Sequence, residues 1–106
     1  MTTRLSKGLS TDELERALLG RTMSFGMALA GLRALHGLTQ VAMARRIGMS
    51  KQHLCDIEKE RRFVSPAKAA AIARRLGHPE AAFVRLALQD TVNQGGLKYK
   101  VELEAA

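Results

Sequence analysis

The sequence contains very few of the residues that build cross-linked or aromatic-rich proteins. Cys55 is the only cysteine among the 106 residues, which excludes an intrachain disulfide and a zinc site built from several cysteines. Three phenylalanines and one tyrosine are the only aromatic residues. Aliphatic side chains must therefore fill the core, and a composition of this kind favours helices.

The sequence also lacks a long apolar segment. It has no run of about 18 apolar residues, the length that a membrane span requires, and its first residues contain no apolar core of a secretion signal. We therefore expect a cytoplasmic protein with no membrane partner. The length fits one compact domain.

What the sequence has in excess is positive charge. Seventeen lysines and arginines against ten acidic residues give a formal charge of +7 and a pI of about 10.3. Such a balance favours polyanionic partners, above all nucleic acid. The alternative is a basic surface that serves solubility alone, since a net charge of this size is ordinary for small domains.

Composition and periodicity divide the chain into three segments. Residues 1–21 are interpreted as a polar, basic arm and a short helix that Ser10 and Glu13 would open as a capping box. Residues 22–93 have the apolar spacing of successive helices. In residues 94–106 apolar and polar residues alternate, which predicts a strand with one buried face.

The middle segment is predicted to form five helices, with Ser or Thr before several of them and glycine after. The predicted helices are residues 22–36, 40–47, 51–59, 66–76 and from 79 onward. Their apolar spacing also predicts which residues are buried. These residues include Phe25, Leu29, Leu32 and Leu35 in the first helix, Val41, Met43, Ala44 and Ile47 in the second, Ala69, Ile72, Ala73 and Leu76 in the fourth, and Phe83, Val84, Ala87, Leu88 and Val92 in the fifth.

Residues 37–62 carry the most specific pattern. Two short helices that cross through a tight turn need a small residue at the crossing and a residue that tolerates positive φ in the turn. Ala44 and Gly48 supply these two residues. Leu54 and Ile57 would then face inward and fix the second helix on the others.

This stretch resembles the helix-turn-helix of the Cro and phage-repressor class, the XRE family of DNA-binding proteins. The resemblance covers residues 25–76 and includes Gln40 at the start of the first motif helix. It also includes Arg33 and Glu58, which stand where the family has a buried arginine–glutamate pair. It implies an all-α, five-helix, lambda-repressor-like domain. Glu60 departs from the pattern, because the family often places glycine after the second motif helix.

The resemblance implies sequence-specific recognition of double-stranded DNA. The second motif helix would enter the major groove, where Gln52 would bind adenine, Lys51 guanine and Asp56 cytosine. The start of the first motif helix and the loop after the second would bind phosphates. The implied base-reading residues are Ser50, Lys51, Gln52, Cys55 and Asp56, and the implied phosphate-binding residues are Gln40, Lys59, Arg61 and Arg62.

Other roles for these residues remain open at this point. Each base-reading side chain could be an ordinary solvated surface residue, and the loop arginines could form salt bridges with Glu58 and Glu60. Cys55 could act as a redox switch if its thiol is exposed, or it could be a plain small side chain.

The predicted C-terminal strand needs a neighbour for its backbone groups, and no other segment alternates in the same way. We therefore expect it to pair with a second copy. In an antiparallel pair centred on Val101, Lys98 faces Glu104 and Lys100 faces Glu102. A disordered tail is the alternative. The apolar residues assigned to this contact are Leu97, Tyr99, Val101 and Leu103.

The function predicted from these observations is a homodimeric repressor or autoregulator, whose two reading helices would match half-sites about one turn of DNA apart. The chain is also similar in size to antitoxins with this domain, which leaves a toxin partner open. A protein-interaction module without DNA binding is the third candidate. The three histidines lie on different elements without metal-ligand spacing, so we expect no enzyme, no metal and no cofactor.

Overall fold

The computed structural model describes residues 23–106, so the arm and short helix assigned to residues 1–21 lie outside the described residues. The described chain forms five α-helices and no strand. The prediction of a helical domain is therefore confirmed for this part of the chain. None of these helices is long and apolar enough to cross a membrane. They are α1 (Phe25–Leu35), α2 (Gln40–Ile47), α3 (Lys51–Glu58), α4 (Pro66–Leu76) and α5 (Glu80–Gln94).

The first four helices each begin at a hydroxyl side chain. The oxygen of this side chain accepts a hydrogen bond from the backbone N–H three residues later, which satisfies one of the donors that every helix start leaves open. Gly48 and Gly77 end α2 and α4 in the left-handed conformation. The predicted start and stop signals are therefore used. The four capping residues are Ser24, Thr39, Ser50 and Ser65.

The core lies where α1 to α4 meet, and α5 closes it. Phe25 and Phe83 pack edge to face with their ring centroids 5.6 Å apart, a favourable arrangement for two aromatic rings. Aliphatic side chains fill the rest, as the composition requires. The largest fully buried side chains are Leu29, Met43, Ile47, Leu54, Ile57 and Ile72.

Within the predicted helices, two residues that were predicted to be buried are exposed. Leu35, the last residue of α1, keeps 79% of its surface in solvent, and Val41 keeps 49%. Val41 precedes the buried Met43 by two positions, which is about 200° around a helix, so it lies on the outer face of α2.

The buried face of α5 also differs from the predicted one. Its adjacent polar residues Gln89 and Asp90 are buried, at 6% and 5% exposure, whereas the predicted Val84 and Leu88 are only partly covered. The Oδ2 atom of Asp90 accepts a hydrogen bond of 3.1 Å from the backbone N–H of Phe25. A carboxylate from α5 therefore lies at the positive end of the α1 dipole.

The predicted C-terminal strand is not formed in the described chain, where residues 97–106 join no β-ladder. The reason is physical, since residues 23–106 contain no second strand for them to pair with. The side chain of Gln89 holds the segment instead. Its Nε2 donates to the carbonyl of Tyr99 (2.7 Å), and its Oε1 accepts from the N–H of Val101 (2.8 Å). The side chains of Leu97, Tyr99 and Leu103 are exposed.

Candidate nucleic-acid interface

The turn between α2 and α3 is built by a buried small residue and a glycine. Ala44 is 2% exposed, as expected of a small residue where two helices cross. Gly48 has φ of 75°, and the carbonyl of Ala44 accepts a hydrogen bond of 3.0 Å from Met49. Both residues lie where the sequence pattern requires them. A side chain at Gly48 would also press on the guanidinium of Arg75.

The inner face of α3 is fixed from two sides. Leu54 and Ile57 are completely buried in the core. On the α1 side, a Cβ atom added at Gly26 would collide with the carbonyl oxygen of Ile57, so α1 lies directly on the backbone of α3. The sequence reading missed this contact. The available signal was a glycine inside an apolar-periodic helix, where it is otherwise unfavourable.

The structure contains a bidentate ion pair between Arg33 and Glu58. The Nε and Nη2 atoms of Arg33 lie 2.8 and 3.1 Å from the two carboxylate oxygens of Glu58, and the side chains are 24% and 6% exposed. Arg33 also donates to the carbonyl of Leu38, and Gln40 donates to Glu58. The hydrogen bond with Glu58, helped by its charge, raises the pKa of Arg33 against the opposing effect of desolvation. The ends of α1 and α3 and the start of α2 are therefore joined.

The outer face of α3 is polar. Ser50 caps the helix and accepts from the N–H of His53 at 3.0 Å. Lys51 and Gln52 are exposed in the first turn, and Cys55 and Asp56 follow half-buried one turn later. Gln52 projects from the side of α3 opposite Leu54 and Ile57, and Cys55 and Asp56 flank it. Lys51, three residues before Leu54, extends from the exposed first turn.

Asp56 binds two of the side chains that were assigned to DNA. Its Oδ1 accepts from Gln52 at 2.9 Å and from the Nε and Nη2 atoms of Arg61 at 3.2 Å each. Partial desolvation acts to raise the pKa of Asp56. The hydrogen bonds from Gln52 and Arg61 and the charges of Arg61 and Arg62 outweigh it, so the pKa is lowered. The carboxylate therefore orients both neighbours in front of α3.

A family model described as a helix-turn-helix domain matches residues 24–86, more than half of the chain. The chain belongs to the helix-turn-helix domain family. No curated protein matches it. A helix-turn-helix domain suggests DNA binding, with α2 and α3 as its two motif helices. The match identifies the helix-turn-helix family and does not distinguish the XRE class within it.

The loop after the second helix of the helix-turn-helix is held in a tight turn. The carbonyl of Asp56 accepts from the N–H groups of Arg61 (2.8 Å) and Arg62 (3.2 Å). Glu60 has φ of 60° and is the only non-glycine residue with positive φ in residues 23–106. Glu60 thus adopts the backbone that a glycine would provide. The loop presents Lys59 and both arginines to solvent, and the Nη2 atom of Arg61 lies 4.0 Å from the Sγ atom of Cys55.

The start of the first motif helix has a different arrangement from the implied one. The side-chain amide of Gln40 is directed to Glu58 rather than outward. The backbone N–H groups of Gln40 and Val41 have no acceptor within residues 23–106. Groups of this kind at a helix start can bind a phosphate, so the backbone at this position offers more to an anion than the Gln40 side chain does.

Proposed function

We propose that this helix-turn-helix protein binds double-stranded DNA in a sequence-specific manner, as a homodimer that represses transcription or regulates its own gene. The observation that carries the proposal is the contrast between the two faces of α3. The inner face is fixed by the core, by the contact at Gly26 and by the Arg33–Glu58 pair. The outer face carries polar side chains that are exposed or half-buried.

A fixed helix with a polar outer face suits the reading of base edges. Recognition by hydrogen bonds requires donors and acceptors held in a defined geometry, because small displacements break bidentate hydrogen bonds to a base. Gln52 is the proposed reader of adenine and Lys51 of guanine. Ser50, Cys55 and Asp56 complete the proposed reading face, with Asp56 also controlling the position of Gln52 through their hydrogen bond.

The surroundings of α3 suit phosphate binding. Lys59, Arg61 and Arg62 project from the loop after α3, and the backbone donors of Gln40 and Val41 lie at the start of α2. These groups would contact phosphates on both sides of the groove entered by α3. The net charge of +7 adds attraction that does not depend on sequence and weakens as salt rises.

A dimer supports the same function. A single helix reads only a few base pairs, whereas two copies related by a two-fold axis read two half-sites and gain affinity from both. The C-terminal segment offers the contact, because its alternating residues Leu97, Tyr99 and Leu103 leave apolar surface exposed beyond the domain.

The test begins with selection of binding sites from a random duplex library, followed by fluorescence anisotropy on the selected site and a shuffled site at several salt concentrations. We expect the selected site to bind about a thousandfold more tightly or better. Gln52→Ala and Lys51→Ala should each cost about 1–3 kcal/mol on the selected site only. The control is Gln94→Ala, which changes an exposed glutamine at the far end of α5 and should leave binding unchanged.

Two results would contradict the proposal. If no common sequence emerges and both duplexes bind equally, the protein has only charge-driven affinity for DNA. If Gln52→Ala binds the selected site as the wild type does, α3 does not read the bases, and the protein-interaction module becomes the better account.

A further inference from the structure

A buried side chain of α5 binds the C-terminal segment. Gln89 is 6% exposed, and both ends of its carboxamide bind the segment, through Tyr99 and Val101, with hydrogen bonds of 2.7 and 2.8 Å. Its Nε2 also donates to Asn93 at 3.0 Å. The carboxamide thus takes the place that the peptide groups of a neighbouring strand would occupy.

This contact determines which side of the segment faces α5. In an extended chain, the carbonyl of one residue and the N–H of the second residue after it point to the same side. Gln89 uses the side that carries the backbone groups of the odd-numbered residues, namely Tyr99 and Val101. The backbone groups of the even-numbered residues therefore point away from the helical domain.

The charge pattern of the segment favours one particular partner. Reading outward from Val101, lysines lie at 98 and 100 on one side, and glutamates lie at 102 and 104 on the other. In an antiparallel pair of two copies centred on Val101, every lysine faces a glutamate. In that pairing the even-numbered residues face one another, and they are the residues whose backbone groups point away from Gln89. The odd-numbered residues face one another in the same pairing, so the outward side of the segment is compatible with this register, and the register itself rests on the charge pattern.

We infer that Gln89 positions the C-terminal segment as a preformed strand for a second copy of this chain, which pairs with it antiparallel about Val101. The inference rests on the dimer proposed above and specifies its register. Lys98 then lies opposite Glu104 of the second copy, and Tyr99 lies opposite Leu103. The exposed surface of Tyr99 and Leu103, 71% and 43% in one chain, becomes covered across the two-fold axis.

The register is tested by reversing charges and measuring the dimer dissociation constant by sedimentation equilibrium of the full chain. Lys98→Glu creates two like-charge contacts, one in each half of the symmetric pair, and should weaken the dimer by about fivefold or more. Adding Glu104→Lys to the same chain restores opposite charges and should return the constant to within about twofold of the wild type.

A matched control also exchanges one lysine for glutamate and one glutamate for lysine, so its composition equals that of the first double variant. The new lysine now lies opposite Lys100 of the second copy. Lys98→Glu combined with Glu102→Lys leaves glutamate facing glutamate and lysine facing lysine, so this variant should dimerise at least as poorly as Lys98→Glu alone. If the two double variants dimerise equally well, the proposed register is wrong.

The role of Gln89 is tested by Gln89→Met, which keeps the side-chain volume and removes both hydrogen bonds. We expect dimerisation to weaken by about tenfold or more, with the helix content measured by circular dichroism unchanged. Amide hydrogen exchange in the wild type adds a readout that a packing role would not affect. On raising the concentration, Lys98, Glu102 and Glu104 should gain protection, whereas Tyr99 and Leu103 should not. The opposite alternation would overturn the inference.

These results are separable from DNA binding. A chain that stays monomeric at all concentrations would overturn the strand pairing. Titration of the same monomer against a duplex with one selected half-site would still report whether α3 reads sequence.

Discussion

Gly26 of α1 lies so close to the backbone carbonyl of Ile57 in α3 that position 26 has no room for a side chain. We predict that Gly26→Ala destabilises the domain by about 3 kcal/mol, because either α1 or the end of α3 must move to admit the methyl group. Urea denaturation followed by circular dichroism measures this change.

Gly31 provides the control within the same helix. A Cβ atom there would meet nothing within 4 Å, so Gly31→Ala should stabilise the domain by about 0.5–1 kcal/mol through improved helix propensity. Equal effects of the two substitutions, in sign and size, would contradict the close approach of α1 and α3.

The second prediction concerns the Arg33–Glu58 pair. Arg33→Met leaves the 6% exposed Glu58 carboxylate with Gln40 as its remaining side-chain donor. We expect a loss of about 3 kcal/mol of unfolding free energy, at the lower end for broken buried pairs because Arg33 is partly solvated. Thermal and urea denaturation both report this loss.

The matching double variant separates the ion pair from packing. Arg33→Met with Glu58→Leu removes both charges and should recover at least half of the lost stability, since no unpaired buried charge remains. A double variant as unstable as the sum of the single variants would show that the two residues act independently.

Glu60 gives the third prediction, because it adopts φ of 60°, a conformation that costs a residue with a Cβ atom about 1 kcal/mol or more. Glu60→Gly should therefore stabilise the domain by about 0.5–1 kcal/mol. The control is Lys59→Gly, one residue earlier, where φ is −93° and glycine should destabilise. Stabilisation by both would trace the effect to something other than backbone strain.

The fourth prediction is the titration of Asp56. Its pKa should lie below the ordinary carboxyl value of 3.8, measured from the side-chain chemical shift by NMR. A lowered pKa in the folded state stabilises that state at pH values above the ordinary value, and this stabilisation is lost as the pH falls through the folded-state pKa. Arg61→Ala should raise the measured pKa. A midpoint unaffected by Arg61→Ala would contradict the contact.

The fifth prediction is the effect of Asp56 on DNA. Asp56→Asn removes a negative charge facing the proposed phosphate site and weakens the hold on Arg61. Binding to random duplex should strengthen by about tenfold, and the salt dependence should steepen by about one charge. Glu80→Gln, which removes the partner of Arg74 at the start of α5, is the control for net charge and should have a smaller effect.

Much of the fold could be predicted because the decisive interactions are local. Thr39, Ser50 and Ser65 cap helices through bonds that span three residues, and Gly48 and Gly77 end them through their own backbone freedom. These signals lie in residues that are close together in the sequence, so the helix ends can be predicted without knowing any tertiary contact. The inward direction of Leu54 and Ile57 follows from helix periodicity in the same way.

The features of the fold that were not predicted depend on contacts between distant parts of the chain. Burial of Gln89 and Asp90 depends on the backbone of Tyr99, Val101 and Phe25, and no periodic pattern encodes such partners. The predicted C-terminal strand is not formed in the described chain, because alternation indicates an extended segment and does not supply a neighbour; its predicted pairing with a second copy stays a prediction.

The same distinction applies to the candidate site. The pattern placed Gln52 on the outer face of α3, because helix spacing alone decides that, and it placed Lys51 in the exposed first turn. It did not predict that Asp56 binds both Gln52 and Arg61, nor that the Gln40 amide is directed to Glu58, since these choices among polar partners depend on the folded loop.

The two adjacent buried residues of α5 connect the C-terminal segment, through the start of α1, to α3. Gln89 holds the C-terminal segment, Asp90 holds the start of α1, and the next residue of α1 after Phe25 is Gly26, which lies on α3. In a dimer joined through the tails, the separation of the two α3 helices would be set by rigid contacts rather than by a flexible linker. Such a protein tolerates little variation in operator geometry. Insertion of one or two base pairs between the half-sites would rotate the second half-site about the DNA axis. The second copy of the protein could then no longer reach it.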